Sequence, residues 1–351
     1  MTLTEVLDCI NPMSPELLDA ARERQDQLTK PAGSLTILED IGVRLSGIQG
    51  IITPRISGKA VAVFAADHGV TDEGVSAYPR AVTEQMVLNF LAGGAAISAL
   101  CNAQGVKLIV VDVGVDADFP EHPQLIQSKV RKGSRNMLGE AAMTEDELQA
   151  AFAAGFEAAE RLRKEGANLV AAGDMGIGNT TPATAIISTL TGISVADLAG
   201  RGTGVDDEGL KRKIDVIERA IEKHRVSKDD PLELLQSVGG LELAAMTGFY
   251  LRAGSLGLAI MLDGFVSHSA ALVATALKPE LKAYLFASHS SRTEAHKVRY
   301  EMMGVTPLLD FSLRLGEGSG AVLAMPLIES AAAILSDMAT FAEAGVSEKD
   351  A

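Results

Sequence analysis

One carboxylate near the end of the chain lies among glycines, at Glu317 in the segment RLGEGSG, residues 314–320. Glycine allows the backbone to adopt positive φ and to approach a ligand closely. Residues 308–311 predict a short strand before this segment, and the apolar residues 321–335 predict a helix after it. We therefore expect Glu317 on a strand-to-helix turn, the place where open α/β sheets bind their ligands.

Two interpretations of Glu317 follow from its neighbours. Glycines and apolar residues would partly desolvate the carboxylate, which raises its pKa and suits it to accept a proton near neutral pH. Alternatively, Glu317 is an acidic residue at the start of a helix, where the helix dipole stabilises it. The spacing alone is compatible with both interpretations.

A second glycine-rich segment, GDMGIGNTTP at residues 173–182, joins a predicted strand to a predicted helix. Thr181 suits the N-cap and Pro182 the first helical position, so free N–H groups would face a ligand as in phosphate sites. The spacing matches neither the dinucleotide fingerprint nor the P-loop, so a purely structural turn is the alternative. Lys213, on the next predicted helix, could reach the same phosphate or be merely solvated.

The remaining polar motifs do not indicate a metal site or a nucleophile. The six histidines form no H-x-x-x-H or H-x-x-E spacing. Ser288 and His289 are adjacent, but no G-x-S-x-G elbow accompanies them. Asp67 ends a predicted strand, so we expect it to accept backbone N–H groups. We therefore predict that the protein uses no metal and no cofactor.

Short apolar runs alternate with amphipathic helices from residue 59 onward, a pattern typical of a parallel sheet. The predicted strands are residues 60–65, 107–111, 168–172, 258–262, 282–286 and 308–311. Each strand is followed by a polar, mostly glycine-bearing segment. Because the carboxyl ends of parallel strands meet at one edge, we predict the active site at that edge.

Both ends of the chain predict helices. Ser14 before Pro15 predicts the start of one helix, Ser34 begins another, and residues 320–342 predict a long apolar third. We expect residues 1–55 and 336–351 to form a small helical domain, and residues 56–335 to form the α/β domain. Residues 127–143, which carry several basic side chains, predict a loop or ribbon beside the sheet, and residues 207–226 and 241–256 predict further helices.

The composition of the 351 residues is that of an ordinary globular protein, with 47% apolar and 22% charged residues. A net charge of −15 argues against a nucleic-acid partner. Two cysteines are too few for a disulfide framework, and the amino terminus resembles no export signal. Asp263 and His268 interrupt the most apolar window, so we expect no membrane span. These features predict a cytoplasmic protein.

Six segments occur in an order and spacing typical of one family. They are KPAGSL (30–35), ADHGV (66–70), GDMGIGNTTP (173–182), MTG (246–248), LDGF (262–265) and RLGEGSG (314–320). From about Leu17 to Thr340 the chain resembles the nicotinate-nucleotide:dimethylbenzimidazole phosphoribosyltransferase family. RLGEGSG and GNTTP are the specific motifs, and the others support them. The resemblance implies a homodimer with a six-stranded, mainly parallel Rossmann-like sheet and a small helical domain from both chain ends.

The resemblance also implies a reaction, the transfer of phosphoribose from nicotinate mononucleotide to 5,6-dimethylbenzimidazole. The products would be α-ribazole 5′-phosphate, for the cobalamin nucleotide loop, and nicotinate. Glu317 would be the general base, and Asp174 an auxiliary carboxylate. The family often has Glu at position 174, so the shorter Asp174 would reach less far. The implied nucleotide-binding residues are Gly176, Gly178, Asn179, Thr180, Thr181, Lys213, Ser290 and Ser291. The implied base-binding residues are Tyr78, Pro79, Gln85, Leu315 and Gly316.

Other functions compete with this interpretation. A dehydrogenase that uses NAD would carry the dinucleotide fingerprint and an acidic residue about twenty positions further on, and this chain lacks both. A non-catalytic nucleotide-binding sensor remains an alternative. So does transfer to another base, such as adenine, a phenol or a different benzimidazole.

Overall fold

The computed structural model describes residues 1–290 and 297–347, and these residues form a single seven-stranded parallel sheet. The strands are β1 (Lys59–Ala66), β2 (Lys107–Gly114), β3 (Leu125–Gln127), β4 (Leu169–Met175), β5 (Ala259–Leu262), β6 (Leu285–His289) and β7 (Pro307–Leu309). Their order is β3-β2-β1-β4-β5-β6-β7, so the winding reverses between β1 and β4. In open α/β sheets this reversal point is where ligands bind.

Helices connect the strands and cover the sheet. The α-helices of the described residues are α1 (Leu3–Asp8), α2 (Pro15–Gln27), α3 (Ile37–Gln49), α4 (Val82–Leu91), α5 (Ala96–Gln104), α6 (Glu145–Lys164), α7 (Thr180–Thr191), α8 (Val195–Leu198), α9 (Asp207–His224), α10 (Pro231–Val238), α11 (Leu241–Ser255), α12 (Phe265–Leu277), α13 (Val298–Met303), α14 (Ser319–Asp337) and α15 (Phe341–Ala344). Two 3₁₀ helices, Gly69–Glu73 and Pro279–Tyr284, accompany them.

The central strands are apolar along their whole length because both faces of the sheet are covered. Residues 60–66 of β1 are all fully buried, as expected for a strand with helices on each side. Helix α11 contacts β1, β2, β4 and β5, while α14 contacts the strands from β4 to β7. The parallel α/β architecture predicted from the sequence is therefore confirmed.

The predicted number of six strands was wrong, because β3 adds a seventh at the edge of the sheet. This strand has three residues and pairs with β2 through Val110 and Leu125. So short a segment contains too little alternation to show in the sequence. Residues 282–284, expected in a strand, belong to a 3₁₀ helix, and β6 begins only at Leu285.

Some helix starts also differ from the prediction. Helix α2 begins as expected, with the Ser14 hydroxyl accepting a hydrogen bond from the Leu17 amide at 3.3 Å. Helix α3 begins at Ile37 rather than at residue 34. Helix α7 begins one residue before the expected N-cap Thr181, because Asn179, its N-cap, already has right-handed helical backbone angles after the left-handed Gly178.

The two ends of the chain contact each other. Helices α2 and α3 pack against α14, and the Arg24 guanidinium donates a hydrogen bond to the Leu335 carbonyl at 3.0 Å. Leu28 and Thr340 form an isolated antiparallel bridge. These contacts bring the two chain ends together, and the small helical domain with its boundaries at 55 and 336 stays a prediction. Its residues 348–351 lie outside the described residues.

Two helical stretches are long and apolar enough to cross a membrane, Val82–Gln104 and Ser319–Asp337. The first consists of α4 and α5 with a break between them, and both pack against the sheet. The second is α14, which packs against α3, α5 and β6. Buried helices of soluble proteins have the same length and composition, so these contacts identify both stretches as packing elements of the fold.

Two glycines allow α6 and α11 to approach closely. A Cβ atom on Gly155 of α6 would lie 2.0 Å from the Ala245 carbonyl oxygen, and one on Gly248 of α11 would lie 2.6 Å from the Phe152 carbonyl oxygen. Because α11 covers four strands, this contact fixes the layer of helices above the sheet.

We expect Gly155→Ala to lower the free energy of unfolding by about 1–3 kcal/mol, because overpacking against backbone outweighs the gain in helix propensity. Urea denaturation would measure this change. Gly139→Ala is the control, since Gly139 lies in an exposed turn where the nearest atom to a new Cβ is 3.4 Å away. An unchanged urea midpoint for Gly155→Ala would show that α6 and α11 can move apart without a loss of stability.

Candidate active site

A cavity of about 510 Å³ opens at the carboxyl edge of the sheet. It is lined by segments that follow β1, β4, β5, β6 and β7, together with Leu198 and residues 200–203. Asp174 and residues 178–180 follow or end β4, Gly264–Val266 follow β5, and His289 and Ser290 follow β6. Residues 313–316 and Ser319 also line it, as do Val75, Ser76, Thr184 and Arg299. This is the edge at which the sequence predicted the active site.

Glu317 lies beside this cavity in a strained turn, between the lining residues Gly316 and Ser319. Its φ is 61°, and Gly316 and Gly318 have φ of 84° and 86°. The left-handed conformation costs a residue with a side chain about 1–3 kcal/mol unless its surroundings enforce it. Gly173 of β4 permits the turn to pack closely on the sheet, because a Cβ on Gly173 would lie 2.2 Å from the Glu317 carbonyl oxygen.

The Glu317 carboxyl group is 6% exposed, and its Oε2 atom has no hydrogen-bond partner. Burial raises its pKa, and a hydrogen bond from the backbone of Ile97, in the first turn of α5, acts in the opposite direction. A raised pKa and an oxygen without a partner are properties that a proton acceptor needs, and the role of Glu317 stays a prediction.

Asp263 anchors the turn that carries Glu317. Helix α14 has no side-chain cap of its own. Instead, the amides of Gly318 and Ala321 donate to the two carboxyl oxygens of Asp263, at 3.1 and 3.0 Å. Asp263 follows β5 directly and is almost fully buried. The start of α14 is therefore tied to the sheet by one carboxyl group.

Asp174 brings a second carboxyl group to the cavity wall. Burial raises its pKa to about 8, with a further contribution from the nearby Asp263. Its Oδ2 atom accepts a hydrogen bond from the Asn179 amide at 2.8 Å, while Oδ1 has no partner. Burial also raises the pKa of Asp263, to about 7. At neutral pH Asp174 is therefore mostly protonated and can donate a hydrogen bond into the cavity.

His68 and Glu242 form a buried pair behind this wall, with 2.8 Å between His68 Nε2 and Glu242 Oε1. The pair links the end of β1 to α11, and a Cβ on Gly176 would lie 3.1 Å from the same His68 nitrogen. Asp67 accepts a hydrogen bond from the Asp116 amide at 2.8 Å, in agreement with the sequence-based expectation.

Lys213 is buried rather than solvated. Its ammonium group donates to the Thr180 hydroxyl at 2.6 Å and to the Gly200 carbonyl at 3.3 Å. Burial lowers the pKa of Lys213 to about 8. Among the described residues no carboxylate forms an ion pair with it. Helix α7, which begins at Thr180, has no side-chain cap. Amine, hydroxyl and helix terminus together are suited to an anion.

The structure brings some of the expected site residues together and leaves others apart. Those that line the cavity are Asp174, Gly178, Asn179, Thr180, Ser290, Leu315 and Gly316. Gly176, Thr181 and Lys213 are buried behind the lining. Tyr78, Pro79 and Gln85 are exposed outside it, and Ser291 lies outside the described residues. The individual roles of all these residues stay predictions.

Sequence reasoning did not assign three features of the site: Asp263, the His68–Glu242 pair and Arg299. Asp263 could have been found, because it precedes a glycine at the end of a predicted strand. His68 and Glu242 are separated by 174 positions in the sequence, so no local pattern connects them. Arg299 lines the cavity but belongs to no motif. Within the described ranges, no group of three or more His, Cys, Asp or Glu is arranged to hold a metal ion.

Comparisons with known proteins identify close relatives. A family model described as a phosphoribosyltransferase matches residues 10–346. The nicotinate-nucleotide–dimethylbenzimidazole phosphoribosyltransferase of Thermus thermophilus is 51% identical over 335 residues, which are 95% of this chain and 99% of the relative. The protein of the same name from Chloroflexus aggregans is 48% identical over 347 residues, with coverage of 99% and 98%.

A solved structure is similar over the same length. The crystal structure of the protein of that name from Thermus thermophilus superimposes with a TM-score of 0.91 at 49% sequence identity. The match covers 96% of this chain and 100% of the other.

The raised pKa of Asp174 predicts how stability depends on pH. The ordinary value for aspartate is 3.8 and the folded value is about 8, so the folded state binds the extra proton between these limits. The contribution of Asp174 to the free energy of unfolding should therefore be fully present below about pH 4 and be lost as pH rises toward 8, by up to about 1.4 kcal/mol per pH unit.

Asp174→Asn should flatten this decline, because an amide does not ionise. Between pH 5.5 and pH 8 we expect the variant to lose at least about 1.4 kcal/mol less than the wild type, measured by urea denaturation. Asp19→Asn, at an exposed site, should follow the wild-type profile. Parallel profiles for wild type and Asp174→Asn would mean that Asp174 is ionised in the folded state.

Proposed function

The chain belongs to the nicotinate-nucleotide:dimethylbenzimidazole phosphoribosyltransferase family and is a phosphoribosyltransferase, and from this we propose its substrates and the residues that act on them. The donor is nicotinate mononucleotide and the acceptor is 5,6-dimethylbenzimidazole. The products, nicotinate and α-ribazole 5′-phosphate, place the enzyme in the assembly of the cobalamin nucleotide loop. The observation that supports this most strongly is the buried, partly unpartnered carboxyl group of Glu317 beside the cavity.

Glu317 is the general base of the proposed reaction. One ring nitrogen of the benzimidazole attacks C1′ of the ribose, and the glycosidic bond to the pyridinium breaks with its electron pair passing to nicotinate. The second ring nitrogen loses its proton to Glu317, so that the product is neutral at the ring. General bases of this kind contribute about 10²- to 10⁴-fold in rate. Attack opposite the departing ring inverts the configuration from β to α.

Asp174 assists by remaining protonated. With a pKa of about 8 it carries little negative charge at neutral pH, so it does not oppose the ionisation of Glu317. Its free Oδ1 atom, at the cavity wall, can donate to or accept from the nucleotide. Aspartate is shorter than the glutamate that the family often has at position 174, but a hydrogen bond to the nucleotide requires only that the side chain reach the cavity wall.

Thr180 and Lys213 hold the phosphate. The Thr180 hydroxyl accepts a hydrogen bond from Lys213, so its own proton is free to be donated into the cavity that it lines. The uncapped start of α7 adds backbone N–H groups at the positive end of a helix. A bound dianion would restore the full charge of Lys213, whose pKa burial lowers.

Apolar side chains from several segments provide surfaces for the two aromatic rings. Those that line the cavity are Val75, Leu198, Phe265, Val266, Leu313 and Leu315. Such a pocket discriminates weakly between related aromatic bases, so adenine, phenols and other benzimidazoles remain candidate acceptors. Tyr78, Pro79 and Gln85 are expected to contact the acceptor from outside the cavity lining.

A homodimer and a cytoplasmic location are also proposed. Tyr78 and Leu315 are each 55% exposed, and Phe311 is 63% exposed. Large exposed apolar side chains of this kind are suited to cover by a second subunit. The two cysteines are unpaired, which agrees with a reducing compartment.

Mass spectrometry of the products formed from nicotinate mononucleotide and a mixture of candidate bases tests the proposed function. We expect α-ribazole 5′-phosphate to be the main product and nicotinate to appear in equal amount. A ribotide of another base as the main product would change the acceptor. Absence of nicotinate release, with nucleotide binding retained, would indicate a sensor.

Glu317→Gln should fold normally and bind the base but lose about 10²- to 10⁴-fold in kcat, because glutamine preserves the shape and removes the basicity. In the wild type, the acid limb of kcat/KM should lie above pH 4.5, since the pKa of Glu317 is raised, and the variant should lack that limb. Glu329→Gln, at a partly exposed position on α14, the helix that follows the Glu317 turn, is the control. Turnover within about threefold of wild type would exclude Glu317 as the base.

Lys213→Ala should raise KM for nicotinate mononucleotide far more than KM for the base. The loss of a hydrogen bond to a charged group weakens binding about ten- to a hundredfold. Nicotinate riboside, which has no phosphate, should be affected little. Lys211→Ala, at an exposed position on α9, is the control. Equal loss for mononucleotide and riboside would show that Lys213 does not contact the phosphate.

A further inference from the structure

The cavity contains a second buried cation, on the wall formed by α12 and α13. Arg299 of α13 is 3% exposed and lines the cavity. Its Nη1 atom has no hydrogen-bond partner. Within residues 1–290 and 297–347 no carboxylate forms an ion pair with it. A buried charge without a counter-ion is costly, so such a group is usually retained for a ligand.

Two neighbours hold the Arg299 guanidinium in one orientation. Its Nε donates to His268 Nδ1 at 2.7 Å, and Nη2 donates to the Tyr300 hydroxyl at 3.1 Å. The Tyr300 hydroxyl in turn donates to the His289 carbonyl at 2.9 Å. The plane of the guanidinium is therefore fixed before any ligand binds, and the remaining nitrogen, Nη1, is the one available for a ligand.

The start of α12 contributes a second, independent element to this wall. Gly264 is its N-cap, and no side chain caps the helix. Gly264, Phe265 and Val266 all line the cavity. The first turn of a helix of 13 residues presents N–H groups and positive potential to a bound anion. Arginine and helix terminus thus meet at one side of the cavity.

This wall is separate from the Lys213–Thr180 group, which belongs to α9 and α7. Two buried cations therefore border the cavity, Arg299 in its lining and Lys213 behind it, whereas Arg201 and Arg314, which also line it, are exposed. The proposed donor has two anionic groups at opposite ends, a 5′-phosphate and a carboxylate on the pyridine ring. We propose that Arg299 and the start of α12 bind the carboxylate of the pyridine ring, and thereby select nicotinate mononucleotide over nicotinamide mononucleotide.

The assignment rests on the proposed function, which supplies the donor. A planar guanidinium with one free nitrogen suits a singly charged carboxylate, whereas the amine, hydroxyl and helix terminus near Thr180 suit a phosphate dianion. The Phe265 ring lines the same wall and offers an aromatic surface to the pyridine.

Kinetics of Arg299→Gln with three donors tests the proposal. We expect kcat/KM to fall about 10- to 100-fold for nicotinate mononucleotide and for nicotinate riboside, which both carry the carboxylate. For nicotinamide mononucleotide, which carries a neutral amide, the change should stay within about threefold. Arg44→Gln is the matched control. Arg44 is another largely buried arginine, which donates to the Lys282 and Ala283 carbonyls away from the cavity, and its loss should affect all donors equally.

Two results would overturn the proposal. Equal losses for both mononucleotides, with the riboside spared, would assign Arg299 to the phosphate. Equal losses for all three donors would make its role structural.

A binding measurement tests the proposal even if the Arg299→Gln protein does not fold or the wild type shows no transferase activity. Calorimetry with nicotinate and with nicotinamide on the wild-type protein should show at least about tenfold tighter binding of nicotinate, and equal affinity would overturn the proposal even if Arg299→Gln does not fold. If the wild type transfers phosphoribose to no base, the proposed function fails, while this calorimetric preference still decides the carboxylate site.

Discussion

The two hydrogen bonds from the start of α14 to Asp263 are the interaction on which the site depends. They tie the long helix that follows β7 to the end of β5, across a turn that has no side-chain cap of its own. The left-handed backbone of Glu317 and its contact with Gly173 are possible only while that helix start stays in place. A single carboxyl group thus converts a glycine-rich loop into a fixed support for the Glu317 carboxylate.

Opposite charges in this site are kept apart rather than paired. Asp174, Asp263 and Glu317 share one region, where burial raises the pKa of each. Lys213 and Arg299 lie on other walls, and neither has a carboxylate partner among the described residues. Carboxylates paired with these cations would neutralise them. Kept apart, both kinds of group can interact with a ligand such as the proposed donor, which has a cationic pyridinium ring and anionic substituents.

The sequence predicted those parts of the molecule that depend on local pattern. Strands β1, β2 and β4 are long apolar runs, the Ser14 cap is followed by proline, and the glycines around Glu317 show the turn directly. Features that depend on distant contacts were not predictable. Asp263 acts on amides more than fifty residues away, and Arg299 meets His268 only because α12 and α13 pack together. Strand β3 was too short to carry a pattern.

The buried amine of Lys213 has a consequence for the energetics of the donor. Near pH 8 roughly half of the empty protein molecules carry a neutral lysine. A phosphate bound beside it, as proposed above, would favour the ammonium form, and donor binding would then take up protons from solution. The heat of binding will then depend on the ionisation enthalpy of the buffer, and the affinity for the donor will decline as the surroundings become alkaline. Substrate capture by this fold is therefore coupled to the acidity of its compartment.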